Sequence, residues 1–202
     1  MFRNPDAFFE RQATDPSMIA PTACVLLAMF ASILGPTYVM GRLVQQASGG
    51  VTVFLALGGT LGLFSSSLSL ILLWFSHSIA FHFVARRLGG DHDFRDMFFV
   101  SGFGFLPYVF SGLLGFFAVF HVFSGVALPT ESAALEQTVT ALAQSTPIVL
   151  ARGVGTLFLL WAGLLWTFGI KHVADLPFQR AVLPAAVPTL LSVGWELSQA
   201  MP

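Results

Sequence analysis

Long stretches without a charged residue constrain this chain more than any other feature. One runs from Ile19 to Met40 and another from Leu43 to Ala85. A helix that crosses a bilayer needs about 20 mostly apolar residues, because the hydrocarbon core is roughly 30 Å thick. Charged residues make up 9% of the chain, whereas a soluble domain carries about 25%. The sequence therefore predicts an all-α, polytopic membrane helix bundle.

Five membrane-spanning helices are predicted within a single membrane domain that covers residues 1–202. They are placed at about residues 19–40, 61–84, 98–120, 148–170 and 181–201. The stretch from Leu43 to Ala85 would reach about 65 Å as one helix, twice the bilayer core. We therefore expect Gly58-Gly59 to divide it and Thr52–Leu57 to form an interfacial or re-entrant piece.

Glycine and proline predict local features of the later spans. Gly102, Gly104 and Pro107 predict a kink in the first half of the third span. The fifth span is short, and we expect Glu196 to mark its outer end.

Two short surface helices are predicted in addition to the spans. Residues 1–17 are predicted to form a cytoplasmic interfacial helix, since Asn4 can cap it and Pro5 suits its first turn. Phe8 and Phe9 would then lie in the headgroup region. A second helix, at about residues 131–143, is predicted on the outer surface, because apolar residues recur there at helical spacing.

The positive charges predict the orientation of the bundle. Cytoplasmic loops carry an excess of lysine and arginine. In the five-span arrangement seven of the nine positive residues fall on the side of the N-terminus. Only Arg42 and Arg152 fall on the other side. The sequence therefore predicts that the N-terminus is inside and the C-terminus outside.

His77 and His82 are ionisable residues within the second span. Ionisable groups in membrane helices are often functional, so a ligand site or a proton path is one interpretation. Five positions separate the two histidines, so they do not share a helix face and do not suit a metal pair. Nearby serines more often hydrogen-bond between helices. The structural interpretation is therefore favoured.

Two polar segments lie between the spans. Asp91-His92-Asp93 holds three side chains able to bind a metal, but adjacent loop residues rarely converge on one ion, and a solvated loop is favoured. In the second segment Lys171 could pair with Asp175, four positions along the helix. Lys171 and His172 then mark a helix end. They could alternatively form a docking or lipid-headgroup patch with Arg86, Arg87 and Arg180.

Several function classes find no support in the sequence. A net charge of −1 gives no basic field for a nucleic acid. No motif of a hydrolase, metalloprotease or nucleotide-binding loop is present, and no pair of carboxylates lies within a span. A single cysteine, Cys24, forms neither an intramolecular disulfide nor a cysteine zinc site. We expect a protein that is not an enzyme and binds no cofactor or metal.

Several segments together resemble the Yip1 family of small multi-pass membrane proteins. Asn4-Pro5-Asp6-Ala7-Phe8-Phe9 is similar to the family's opening Pro-x-x-Phe-Phe. Gly102-Phe103-Gly104-Phe105-Leu106-Pro107 is similar to its third-helix signature. Further similar segments are Arg86-Arg87-Leu88-Gly89-Gly90, Lys171-His172-Val173-Ala174 and Gln179-Arg180-Ala181. The use of arginine over lysine is similar to prokaryotic and haloarchaeal members.

This resemblance implies a five-span bundle with the N-terminus inside, as the charges do independently. It also implies a non-enzymatic role in organising or shaping membranes, since the eukaryotic family is linked to vesicle traffic. The expected partners are the lipid bilayer and other membrane proteins or further copies of this chain, and the expected location is a prokaryotic cell membrane. The alternative is a small channel or carrier with a polar path along the second span. The chain lacks the long N-terminal region of the eukaryotic proteins, so Rab GTPase binding does not carry over.

Overall fold

The described residues form eight α-helices. The computed structural model describes residues 3–14, 16–46, 50–129 and 131–200. The helices are α1 Pro5–Thr14, α2 Ile19–Gln46, α3 Gly50–Arg87, α4 Phe94–Phe103, α5 Leu106–Ser124, α6 Ser132–Ala143, α7 Thr146–Val173 and α8 Phe178–Ala200. No strand occurs in these ranges, so the all-α prediction is confirmed.

Among the described residues, four helical segments are long and apolar enough to cross a membrane. They are Ile19–Gln46, Leu55–Arg87, Phe94–Ser124 and Thr146–Val173. They contain the first four predicted spans. The fifth predicted span falls in α8, whose interior holds Pro184 and Pro188 and which does not reach the same apolarity. Met201, where that prediction ended, lies outside the described residues.

The predicted division at Gly58-Gly59 is wrong. α3 continues without a break from Gly50 to Arg87, a length of about 57 Å at 1.5 Å per residue. Each interior glycine costs a helix only about 1 kcal/mol. A break in lipid would instead leave several backbone groups without hydrogen-bond partners, at a greater cost. Gly59 also packs against Met40 of α2, whose Sδ would lie 2.9 Å from a Cβ at that position.

The predicted kink in the third span is confirmed as a full break between two helices. α4 ends at Phe103 and α5 begins at Leu106, with Pro107 in its first turn. Proline lacks an N–H, so it cannot continue the hydrogen bonding of α4 into α5. Helices α4 and α5 together are long and apolar enough to make one membrane span.

Large apolar side chains cover the outside of the spans, as expected of helices that face lipid. Leu61 and Phe64 of α3 and Leu157 of α7 are more than 60% exposed. The main core lies at the end of the bundle where α1, α4 and α7 meet, and Phe9, Phe81, Met97 and Trp166 are buried there. We call this the basic end, because Arg86, Arg87, Lys171 and Arg180 surround it.

Candidate functional site

The break between α4 and α5 is the most closely packed part of the bundle. A Cβ at Gly104 would overlap the indole ring of Trp166. A Cβ at Gly102 would lie 2.7 Å from the Cβ of Pro21, at the start of α2. These two glycines therefore let α7 and α2 approach the α4 backbone from different sides.

Two tryptophans bind the backbone of α4. The indole Nε1 of Trp166 donates to the carbonyl of Ser101 at 2.9 Å, and that of Trp74 donates to the carbonyl of Phe98 at 3.1 Å. The Trp74 ring also stacks on Phe98. A buried indole N–H needs an acceptor, and a helix end has carbonyls to offer. The broken helix is thus held by α3 on one side and α7 on the other.

A hydrogen bond between hydroxyl groups joins α3 to α4. The Oγ atoms of Ser78 and Ser101 lie 2.7 Å apart, and both residues are fully buried. The predicted role of the serines as contacts between helices is confirmed at this position. By contrast, Ser66, Ser69 and Ser76 are exposed and donate to carbonyls of their own helix.

The phenylalanines of α1 pack into the bundle, so the prediction that they lie in the headgroup region is wrong. Phe9 is fully buried, and both Phe8 and Phe9 make edge-on contacts with Phe103 of α4. A Cβ at Gly169 of α7 would lie 3.2 Å from the ring of Phe9. The amphipathic pattern indicated an apolar face, but a lipid surface and a protein groove both satisfy such a face.

An ion pair that the sequence did not predict fixes α1 to α7. Lys171 Nζ and His172 Nε2 each lie 2.6 Å from Oδ1 of Asp6. Hydrogen bonds from Lys171 and then from His172 hold the pKa of the Asp6 carboxyl below its ordinary value of 3.8. The predicted pair between Lys171 and Asp175 does not form. Asp175 is exposed and takes a left-handed φ of 49° just after α7, because the chain turns there toward α8.

Two loops meet at the basic end. The amide of Asp91 donates to the carbonyl of Ala174, and Arg180 Nη1 donates to the carbonyl of Leu88 at 3.4 Å. Gly90 lies against the side chain of Ala174. The segment after α3 and the segment after α7, far apart in sequence, therefore form one surface.

Three arginines lie exposed on this surface, namely Arg86, Arg87 and Arg180. Arg86 also donates to the carbonyl of His92 at 3.2 Å. The contact of Arg180 with Leu88, one residue beyond Arg87, places the three in one region. The structure thus brings together residues that the sequence could only assign to neighbouring loops.

The two histidines of the second span lie in different surroundings. His77 is 4% exposed, and its ring packs 4.8 Å from that of Trp166. Its Nδ1 lies 2.7 Å from the carbonyl oxygen of Leu73. His82 instead lies against the ring of His92, 5.1 Å away. The prediction that they do not share a face is confirmed.

His82 and His92 form a pair at the basic end. Among the described residues the two nitrogens of His92 and Nδ1 of His82 are buried without a hydrogen-bond partner. Burial, followed by the proximity of His82, lowers the pKa of His92. Within the described ranges no three residues of metal-binding type come together, so a metal site has no support from this pair.

Glu196 lies where α8 packs against α3, α5 and α7. It lines a cavity of about 370 Å³ with Tyr108, Leu159 and Ser192. Tyr108 is a partly buried neighbour of the core and shares a hydrogen bond with Ser192. Glu196 lies about 27 Å along α8 from its first residue, and its place at the outer end of the fifth span stays a prediction.

Comparison with known protein families gives the relationship of the chain. Residues 1–197 match the Yip1 domain. The chain belongs to the Yip1 family. With its long apolar helices, this makes it a multi-pass membrane protein in a lipid bilayer. No curated protein and no solved structure matches it.

The segments that carry the Yip1 resemblance meet in space. Phe8 and Phe9 contact Phe103 within the glycine-rich segment, and Trp166 occupies the space that Gly104 leaves. Asp6 binds Lys171 and His172. These Yip1 segments all lie at the basic end of the bundle, where they fix α1, α4 and α7 to one another.

Proposed function

We propose that this Yip1-family protein is a non-enzymatic scaffold that organises or shapes a prokaryotic cell membrane. The observation that carries the proposal is that polar side chains at the basic end bind other helices of the chain. Asp6, Ser78, Ser101 and Trp166 all bind other helices of the same chain. The ion pair of Asp6 holds an extra helix, α1, beside the spans, and the other contacts join α3 and α7 to α4, as a structural role requires.

A rigid basic end suits contact with anionic lipid headgroups. Arg86, Arg87 and Arg180 are exposed on one surface. Each arginine near an anionic membrane surface contributes on the order of 1 kcal/mol of attraction. Since the segments after α3 and α7 are hydrogen-bonded to each other beside these arginines, this surface can transmit lipid contacts to the spans. Other membrane proteins or further copies of the chain are proposed as partners on the same surface.

The proposed topology has five spans, with the N-terminus inside and the C-terminus outside. α8 is 23 residues long, or about 35 Å, which is enough to cross the hydrocarbon core. It packs along α7 and α3, so much of its surface faces protein and needs less apolarity than a helix surrounded by lipid. The distribution of positive residues supports the same arrangement.

Reconstitution into vesicles tests the scaffold proposal. We expect the protein to change vesicle size or shape in bilayers that contain phosphatidylglycerol, and to show no saturable flux of ions or solutes. The variant with Arg86, Arg87 and Arg180 changed to glutamine should lose most of the dependence on anionic lipid, with phosphatidylcholine vesicles as the control. Specific, saturable transport would overturn the proposal.

The second candidate, a small channel or carrier, depends on His77. This residue lines a cavity of about 250 Å³ between α3 and α8, and its Nε2 has no hydrogen-bond partner among the described residues. The serines invoked for a polar path do not continue it, since Ser66 and Ser69 are exposed and bind their own helix. Flux that is lost in His77→Ala and kept in Ser69→Ala would favour this candidate.

A further inference from the structure

A groove with polar groups at both ends runs between α3, α5, α7 and α8. The cavity that holds His77 and the cavity that holds Glu196 share the side chains of Leu73, Leu191 and Ser192. The two cavities therefore lie side by side. Their volumes are about 250 and 370 Å³. Small-ligand sites begin near about 300 Å³, so the half with Glu196 reaches that size by itself and the half with His77 extends it.

The groove lies within the depth of the hydrocarbon core. Leu73, Tyr108 and Leu159, which line the half with Glu196, each lie roughly 21 Å along their helices from the basic end. The core is about 30 Å thick. Glu196 is half-buried beside them. Glu196 itself lies about 27 Å along α8 from its first residue, toward the far side of the core. A half-buried carboxylate among apolar side chains is costly unless a cation or a proton accompanies it.

The polar groups at the two ends of the groove, on His77 and Glu196, offer hydrogen-bond acceptors, and the hydroxyl groups of Tyr108 and Ser192 in the half with Glu196 share a hydrogen bond. A carbonyl can only accept, so the Nδ1 of His77 carries the proton shared with Leu73, and in the neutral ring Nε2 is an acceptor. That Nε2 is buried and has no partner among the described residues. Ser76 also lines the groove, and its hydroxyl proton is committed to the carbonyl of Leu72. Within the described ranges, Glu196 takes part in no ion pair.

The acceptors at the two ends of the groove and the apolar side chains between them determine which kind of ligand can bind. A hydrogen-bond donor is needed, and the carboxylate favours one that carries a positive charge. We propose that the groove binds a lipophilic primary ammonium, with its amine on Glu196 and its apolar body against Leu73 and Leu191. The proposed scaffold role needs no such ligand, so this site is an additional property of the bundle.

Titration of the full chain with a pair of matched probes tests the site. The protein is placed in nanodiscs of zwitterionic lipid and titrated at pH 7 with octylamine or with octanol, and the heat is compared with that of empty nanodiscs. We expect saturable binding of octylamine to one site, and at least tenfold weaker binding of octanol, because octanol can donate a hydrogen bond to the carboxylate but carries no positive charge.

Variants decide which residue provides the selectivity. Glu196→Gln keeps the shape of the side chain and should weaken octylamine binding by roughly tenfold or more. Glu136→Gln, on the exposed face of α6, is the matched control and should bind as the parent does. Ser192→Phe adds a ring where the two cavities meet and should abolish saturable binding, which tests the site separately if Glu196→Gln does not fold.

Three results would overturn the proposal. The first is octylamine binding that does not saturate above the empty nanodiscs. The second is equal affinity for octanol, which would show that charge does not select the ligand. The third is unchanged octylamine affinity in Glu196→Gln or in Ser192→Phe, measured on protein with a cooperative thermal transition.

Discussion

Replacement of Gly104 by alanine is expected to destabilise the protein through one contact. The backbone there has a φ of −66°, which any residue adopts, so the change introduces no backbone strain. The added methyl group overlaps the indole of Trp166, whose exposure is only 1%. Overpacking costs about 1–3 kcal/mol, and loss of the indole hydrogen bond to Ser101 adds about 1 kcal/mol. We therefore expect a loss of about 2–4 kcal/mol.

The assay is thermal unfolding of purified protein in a mild detergent, followed by tryptophan fluorescence. Gly104→Ala should lower the midpoint by roughly 5–10 °C. Gly115→Ala, within α5 and with no atom within 4 Å of the added Cβ, should leave it unchanged or raise it. In a Trp166→Phe background the cost of Gly104→Ala should shrink, since the two changes share one contact. Equal midpoints for Gly104→Ala and Gly115→Ala would refute the reasoning.

Further predictions concern the attachment of α1 and α8. Because the pKa of Asp6 is lowered, its ion pair stabilises α1 docking above pH 3.8 and is lost as the pH falls through the lowered value. Tryptic cleavage after Arg11 should accordingly be faster in Asp6→Asn at pH 7, and equal rates would contradict this. Phe9→Ala should cost about 3–5 kcal/mol of unfolding free energy, and a loss below 1 kcal/mol in a denaturant titration would argue against burial. Gly163→Ala places a methyl group against Thr189 of α8 and should lower the thermal midpoint. An unchanged midpoint would show that α7 and α8 are not packed together at this position.

The spans could be predicted because a helix that crosses lipid must be mostly apolar over about 20 residues, and the local sequence shows this directly. A run without charge such as Ile19–Met40 has few alternatives to a membrane helix. The break before Pro107 was predictable for the same local reason, since proline removes an N–H and glycines accompany it. The predicted division at Gly58-Gly59 was wrong because the low helix propensity of two glycines costs less free energy than backbone groups left without hydrogen bonds in lipid.

The candidate site could not be predicted because its contacts join distant parts of the chain. Helical spacing favoured a pair of Lys171 with Asp175, whereas the partner is Asp6 on another helix. The sequence around Phe9 indicated an apolar helix face but not whether lipid or protein covers that face. The cavity that Glu196 lines depends on how α8 packs against α5 and α7, which no local pattern encodes.

The topology of α8 tests the account most directly, because the orientation of both ends of the chain depends on it. Cys24 is replaced by alanine, and single cysteines are introduced at Asp93, Glu136 or Ser198. Intact cells are then treated with a maleimide that does not cross membranes. We predict labelling at positions 136 and 198 without permeabilisation, and at position 93 only after it. Labelling of position 198 only together with position 93 would leave four spans and contradict the account.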